Sequence, residues 1–302
     1  MSIGIDQVIA AIPDWQGKQA VWQPLAGGLT NANFRVEVDG TPYFVRIPGA
    51  STDLLAVDRA NEAHNTKAAA RAGVGPRVIH HLPEVNVLVL EFIQGQTMSN
   101  QALAASGMPG RIAQSLRRLH AGPRFLTDFN MFRLVEFYLE MVDEHQVRIP
   151  EGYRQRLPTV GEIERAVTAR ALPTVPCNND LLAENYIDDG ATLRLIDFEY
   201  SGNNDPCFEL GNTCQELQYD AGRMAELCAA YFGEARRHLL ARMRLNALMS
   251  DVGWTLWGAI QNKVSKIDYD FWAYAQGRWD RAQSIMASPD FDVWLKDAER
   301  ND

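Results

Sequence analysis

"VPCNNDLLAENYI", residues 175–187, sets Asp180 five positions before Asn185. Just beyond it, "LIDFEY" brings Asp197 after a short apolar run. A carboxylate and an amide offer the hard oxygen ligands that suit Mg²⁺, and a second carboxylate remains to take a hydroxyl proton. Asp-x-x-x-x-Asn is also ordinary Asx-turn chemistry. The fragment alone leaves both readings open, and the chain around it decides between them.

That chain has 302 residues, 46% hydrophobic and 22% charged, which is globular composition with enough apolar material for a large core or two lobes. A net charge of -9 and a pI near 5.2 argue against a dedicated nucleic-acid binder. The acidic balance is compatible with a small cationic substrate. Cys177, Cys207, Cys214 and Cys228 form no CxxC pair, so reduced thiols and a cytoplasmic location are the expectation. "MSIGIDQVIAAIPDWQG" has no basic region followed by an apolar run, and no stretch is long and apolar enough for a bilayer, so neither a signal peptide nor a membrane is expected.

The first ninety or so residues read as strands with one helix among them. "NFRVEVDGTPYFVRIPG" is a hairpin, with alternating runs 34–38 and 43–47 around Asp39-Gly40. "TDLLAVDRANEAHNTKAAARAG" reads as a helix closed by Gly73, and "EVNVLVLEFIQG" as a strand ended by Gly95. From about Ser99 the pattern turns helical. "GRIAQSLRRLHAG" puts Ile112, Leu116 and Leu119 on one face, and "MFRLVEFYLEMVDEH" is a second amphipathic helix. Short strands near Val175 and at 193–196 flank the opening stretch, and nearly all the chain beyond Gly211 is helical. The expected fold is α+β and bilobal: a small antiparallel-sheet lobe, 1–93, joined near 91–95 to a larger, mainly helical lobe, 94–302.

Phosphoryl transfer requires positioned phosphates, metal ions to neutralise charge and an acceptor for the hydroxyl proton. The protein-kinase catalytic loop supplies an Asp, four residues and an Asn, followed later by a metal-binding Asp. "NNDLLAEN" keeps that interval. Asp180 takes the base position, and Asn185 and Asp197 the metal positions. Upstream, Gly27 and Gly28 in "LAGGLTNANFRV" would let backbone N–H groups approach phosphates. Arg46 in "YFVRIPG" stands where a protein kinase has its strand lysine, and Glu62 on the next helix could pair with it.

Taken together, "GGLTNANFRV", "YFVRIPG", "PCNNDLLAENYI", "LIDFEYSGNNDPCFELGN" and "WTLWGAIQNKVSKIDYDFWAYAQGRWD" resemble the choline/ethanolamine kinase family, within the aminoglycoside-phosphotransferase-like group of kinase folds. The resemblance implies a protein-kinase-like fold, ATP as donor, Mg²⁺ as cofactor and a small cationic alcohol as acceptor. It implies that Gly27, Gly28, Thr30, Asn31, Arg46 and Glu62 serve the nucleotide, and that a hinge including Glu91 and Ile93 meets the adenine. It further implies an acceptor pocket of Trp254, Trp257, Tyr269 and Tyr274, with Glu216 helping to receive the cation. Aromatic faces hold a quaternary ammonium through the ring quadrupole. Glu209 reads as support for the loop, and His120 as packed or capping.

One position departs from the pattern. The family usually has His two before the base, and this chain has Asn178. Asn can also donate and accept, from a shorter side chain. Three readings stay open: a kinase for choline or a related amino alcohol; a same-fold kinase for an aminoglycoside, thiamine or a sugar; and a nucleotide- or choline-binding protein without turnover. Monomer and homodimer both stay open.

Overall fold

The structure is a computed structural model that describes residues 3–25, 31–49 and 52–300. Gly27, Gly28 and Thr30 lie outside the described residues. Helix α1 (Ile5–Ala11) comes first, so this region carries a second α-helix where one was expected among the strands. It covers one face of a five-stranded antiparallel sheet built from β1 (Ala20–Leu25), β2 (Asn31–Val38), β3 (Thr41–Pro48), β4 (Val78–Leu82) and β5 (Val87–Glu91), in the order β1-β2-β3-β5-β4. The β2–β3 hairpin turns at Asp39 and Gly40, with φ of 47° and 78°. Two consecutive left-handed residues match the twist of the paired strands, which explains the Asp-Gly dipeptide.

The helix expected over "TDLLAVDRANEAHNTKAAARAG" is shorter than its pattern. Helix α2 spans Arg59–Arg71, because Asp58 caps it by accepting the N–H groups of Ala60 and Asn61. The stretch ahead of it holds a 3₁₀ turn, Thr52–Leu55, and a left-handed Ala56.

Past the hinge come β6 (Gln96–Thr97), α3 (Asn100–Leu103), α4 (Met108–His120), α5 (Met131–Glu144) and α6 (Leu157–Thr168). Ile112, Leu116 and Leu119 of α4 are fully buried, as their spacing predicts. Short strands β7 (Val175–Cys177), β8 (Tyr186–Asp188), β9 (Leu193–Leu195) and β10 (Gly202–Asn204) follow. They form a β10-β7 pair and a β6-β8-β9 sheet. Helices α7 (Pro206–Glu216), α8 (Ala221–Phe232), α9 (Arg237–Val264), α10 (Phe271–Met286) and α11 (Phe291–Ala298) complete the lobe. The long α9 is buried through most of its length and carries the core on several sides. It lies so close to α7 that a Cβ on Gly211 would come within 2.4 Å of the Met243 carbonyl oxygen. No helix among the described residues is long and apolar enough to cross a membrane.

Candidate active site

The short strands fix the opening stretch of sequence. β7 delivers the chain to Asn178, β8 takes it away after Asn185, and β9 ends just before Asp197. Between them the loop is held at almost every residue. Asn178 Nδ2 donates to the carbonyls of Ile196 (3.1 Å) and Asp197 (2.7 Å), and Asn178 Oδ1 accepts the Asp180 N–H (3.1 Å). Asn179, at φ 69°, donates to Tyr200 O and accepts from Asn204. Asn185 Nδ2 donates to Asp180 O at 2.7 Å, and the Leu181 N–H donates to Asn212. The buried Glu209 receives the N–H groups of Asn178 (2.7 Å) and Asn179 (3.3 Å) on one oxygen. Its other oxygen meets His120 Nε2 at 2.7 Å, and His120 Nδ1 meets the Tyr231 hydroxyl at 2.6 Å. His120 is therefore packed, and it supports the loop through Glu209.

A cleft of about 600 Å³ runs between the lobes. Its walls include Arg46, Glu62, Glu91, Ile93, Asp180, Asn185 and Asp197, and at the far end Trp254, Trp257, Tyr269 and Tyr274. Residues scattered from 46 to 274 in the chain thus face one space.

One end of the cleft is ionic. Arg46 on β3 pairs with Glu62 on α2 and lies 4.0 Å from Asp197. Arg59, three residues before Glu62 on the same helix face, shares Glu62 (2.8 Å) and also reaches Glu199 (3.0 Å) and Asn31 Oδ1 (2.9 Å). Asn31 Nδ2 donates to Glu199 at 3.0 Å. Burial and the Arg59 charge bring the Arg46 guanidinium down to about 10. Burial and Glu199 push Asp197 up to about 6, against Arg46 and Arg59. Burial, then Glu216, Asp197 and Glu199, hold the Asp180 carboxyl well above the carboxylate range, with Arg278 acting the other way.

Some atoms of these paired groups still lack a hydrogen bond. Arg46 Nε and Nη2 and Asp197 Oδ1 are buried without a hydrogen bond. Such atoms are costly unless a ligand completes them. Two guanidinium donors suit phosphate oxygens. Asp197 Oδ1 suits a hard cation, together with the Asn185 amide oxygen, whose Nδ2 is already engaged.

At the end of β5, where the hinge was expected, the Glu91 carboxylate turns onto Arg77, accepting from its Nε at 2.9 Å and its N–H at 3.1 Å. The Glu91 side chain is therefore committed to Arg77, while the Glu91–Ile93 segment itself lines the cleft.

The other end is aromatic. Trp254 and Trp257 are nearly fully buried and belong to the core of the helical lobe as well as to the cleft wall. Trp257 Nε1 donates to the Tyr200 hydroxyl at 2.8 Å, and the Tyr200 and Trp254 rings meet edge-on at 4.9 Å. Tyr274 lies 5.6 Å from Trp257 and 6.4 Å from Tyr269, ring to ring. Tyr269 is exposed at the rim. Glu216 is not part of this wall. It lines an adjoining recess, where Arg278 binds it at 2.7 Å, and the Arg278 guanidinium lies 4.7 Å from the Tyr274 ring centre. Arg278 and Arg281 also share the buried Asp251, at 3.1 and 2.5 Å.

Sequence reasoning passed over Arg59, Glu199, Tyr200 and Arg278. Three had a readable signal: Arg59 is at i−3 from Glu62, Arg278 at i+4 from Tyr274, and Glu199 two after Asp197. Tyr200 had none, since its partner Trp257 is distant in the chain.

The family model for choline/ethanolamine kinase matches residues 22–229. The chain is 26% identical to ethanolamine kinase 2 of Rattus norvegicus, over 89% of this chain and 77% of that one. A choline/ethanolamine kinase family protein from Mesorhizobium loti superposes with a TM-score of 0.85 at 37% identity, covering 97% of this chain and 98% of the other. The choline kinase LicA from Streptococcus pneumoniae superposes at 0.80 with 22% identity, over 93% and 98%. The expected bilobal fold is therefore found, and so is the enzyme class, phosphotransfer to an alcohol. The chain belongs to the choline/ethanolamine kinase family.

Proposed function

We propose that the protein transfers the γ-phosphate of ATP to the hydroxyl of choline or a closely related amino alcohol. The carrying observation is the single cleft that places an incomplete ionic cluster, a held carboxylate and an aromatic wall in that order. Arg46, aimed by its pair with Glu62, binds the phosphates of the donor. Asp180 stands between the ends, anchored through Asn178 and Asn185, and takes the proton from the acceptor hydroxyl. Burial and neighbouring acids raise its proton affinity, which favours that role. Asp197 and Asn185 are the residues that would hold Mg²⁺, which when bound neutralises charge on the transferring phosphoryl group. Trp257, Tyr269 and Tyr274 receive the ammonium and exclude water from it.

The aromatic wall favours an amino alcohol over a sugar or an aminoglycoside. Glu216 and Asp251 are already matched by Arg278 and Arg281, so the acids near the acceptor end do not form a free cluster for a polycation. Asn178 keeps both the loop and the Asp197 segment bonded, which supports turnover despite the missing imidazole. The test is an ADP-release screen with Mg²⁺ over choline, ethanolamine, thiamine, sugars and aminoglycosides. Release with choline or ethanolamine is expected. ATP binding without release on any acceptor would establish the non-catalytic reading instead.

A further inference from the structure

Helix α2 follows β3 and precedes β4, so chain order places it with the sheet. Its buried apolar side chains do not follow that order. Ala68, Ala69 and Val74 sit in the same apolar cluster as Ile112, Leu116 and Tyr186 of the helical lobe. Leu55 and Val57, just ahead of the helix, sit in that lobe's other cluster, and Tyr138 donates to Leu55 O at 3.0 Å. Among the described residues, the sheet's own cluster contains no residue of α2. At the helix's far end, Leu195 N–H and the Arg194 side chain bond the Val74 and Gly75 carbonyls. A Cβ on Gly122 would come within 2.7 Å of the Ala72 Cβ, so α2 and the end of α4 are in close contact.

The polar face of α2 is tied the same way. Asn61 Nδ2 and Asn65 Nδ2 both donate to Ser201 O, at 2.9 and 3.1 Å, and Asn65 Nδ2 also meets Ser201 Oγ at 3.0 Å. Asn61 Oδ1 accepts from the Thr127 hydroxyl, and Asn65 Oδ1 from the Leu126 N–H. Both amides are buried and use both ends on the helical lobe. Toward the sheet, the end of α2 runs beside β4, which follows it in the chain, and its side chains offer the Arg46–Glu62 and Arg59–Asn31 contacts, both polar.

We infer that α2 is mechanically part of the helical lobe, and that Asn61 and Asn65 are positioning residues holding Glu62 still while the sheet moves against it. Glu62 and Asp197 then belong to one rigid body. Arg46 rides on the other, and the Arg46–Glu62 pair forms as the sheet closes over the cleft. Packed apolar clusters open as cooperative units, so membership in a cluster predicts which amides exchange together.

The test is hydrogen exchange on the full chain without ligands, which needs no catalytic activity and so stands or falls apart from the proposed reaction. Under rising sub-denaturing urea, the α2 amides are expected to follow those of α4 and α7. In Val36→Ala, which loosens the sheet core, β2, β3 and β5 amides should exchange at least about tenfold faster with α2 unchanged. Acceleration of α2 together with the strands, in either experiment, overturns the inference. For the positioning role, Asn65→Ala should lower kcat about tenfold at an unchanged KM for the acceptor, since the pocket is untouched and only the phosphate clamp is displaced. An unchanged kcat, or a change confined to acceptor KM, removes Asn65 from that role.

Discussion

Where Arg46, Arg59, Glu62, Asp197 and Glu199 meet, every group is charged and most are buried, and each is fixed by a named partner. Where Trp254, Trp257, Tyr269 and Tyr274 meet, most contacts are between rings at 4.9 to 6.4 Å, and Trp257 also donates a hydrogen bond to Tyr200. The ionic end has few tolerable alternatives, because removing one member leaves another buried and unpaired. The aromatic end is graded, because ring contacts each contribute modestly and can repack. A change at the ionic end, read as the phosphate clamp we propose, should therefore cost both stability and turnover. A change at the aromatic end, the acceptor pocket we propose, should appear mainly as a shift in acceptor KM.

The largest effect is expected at the residue between the two ends. Asp180→Asn keeps the side-chain shape and the backbone bonds to Asn178 and Asn185. It removes the proton acceptor we propose, so kcat should fall by about 10²–10⁴-fold with ATP binding retained. Near-normal turnover would take Asp180 out of the mechanism and the comparison would lose its centre. Arg46→Met comes next. It leaves Glu62 with Arg59 as its remaining charged partner, so the unfolding free energy from urea titration should fall by about 3 kcal/mol. The KM for ATP should rise by more than about tenfold through the loss of the phosphate contacts. A stable variant with normal ATP KM would show that the ionic end is not a phosphate clamp.

The same contrast explains what could be read in advance. Asp180, Asn185 and Asp197 are close in sequence and hold a fixed interval, so their grouping was legible. The β2–β3 hairpin and α4 were legible because alternation and the Asp-Gly turn are local signals. Arg59 carried only the weak cue of its spacing from Glu62, because its reach to Glu199 lies far along the chain and an arginine on a helix resembles any solvated one. The commitment of Glu216 to Arg278 was equally invisible, since it joins the end of α7 to the middle of α10. The extent of α2 was misjudged because the apolar run Leu54-Leu55-Ala56-Val57 leads straight into the alanine-rich helix, while the cap at Asp58 starts the helix only after it.

At the acceptor end, Trp257→Leu keeps bulk in the core and deletes the ring. One desolvated cation–π contact is worth about 0.5–2 kcal/mol, so the KM for choline should rise about tenfold while that for ATP is unchanged. Steady-state kinetics with both substrates varied decides this. A rise in both constants would mean that Trp257 is core rather than pocket. An unchanged choline KM would move the acceptor away from the aromatic wall altogether.

Asn178→His should have the smallest effect. The amide now makes three bonds: two donated to the carbonyls of Ile196 and Asp197, and one accepted from the Asp180 N–H. A neutral imidazole has one donor and one acceptor. It can keep the bond to Asp197 O and that from Asp180, and it loses the bond to Ile196 O. One net hydrogen bond is worth about 1 kcal/mol, so kcat should stay within about threefold to tenfold of the parent. The position is fully buried, so the larger ring must also be accommodated, and a lower melting temperature is expected even where turnover is kept. A fall in kcat as large as that of Asp180→Asn would show that the loop is built around the amide itself. Position 178 would then belong with the ionic end, as a place where one exchange is not tolerated.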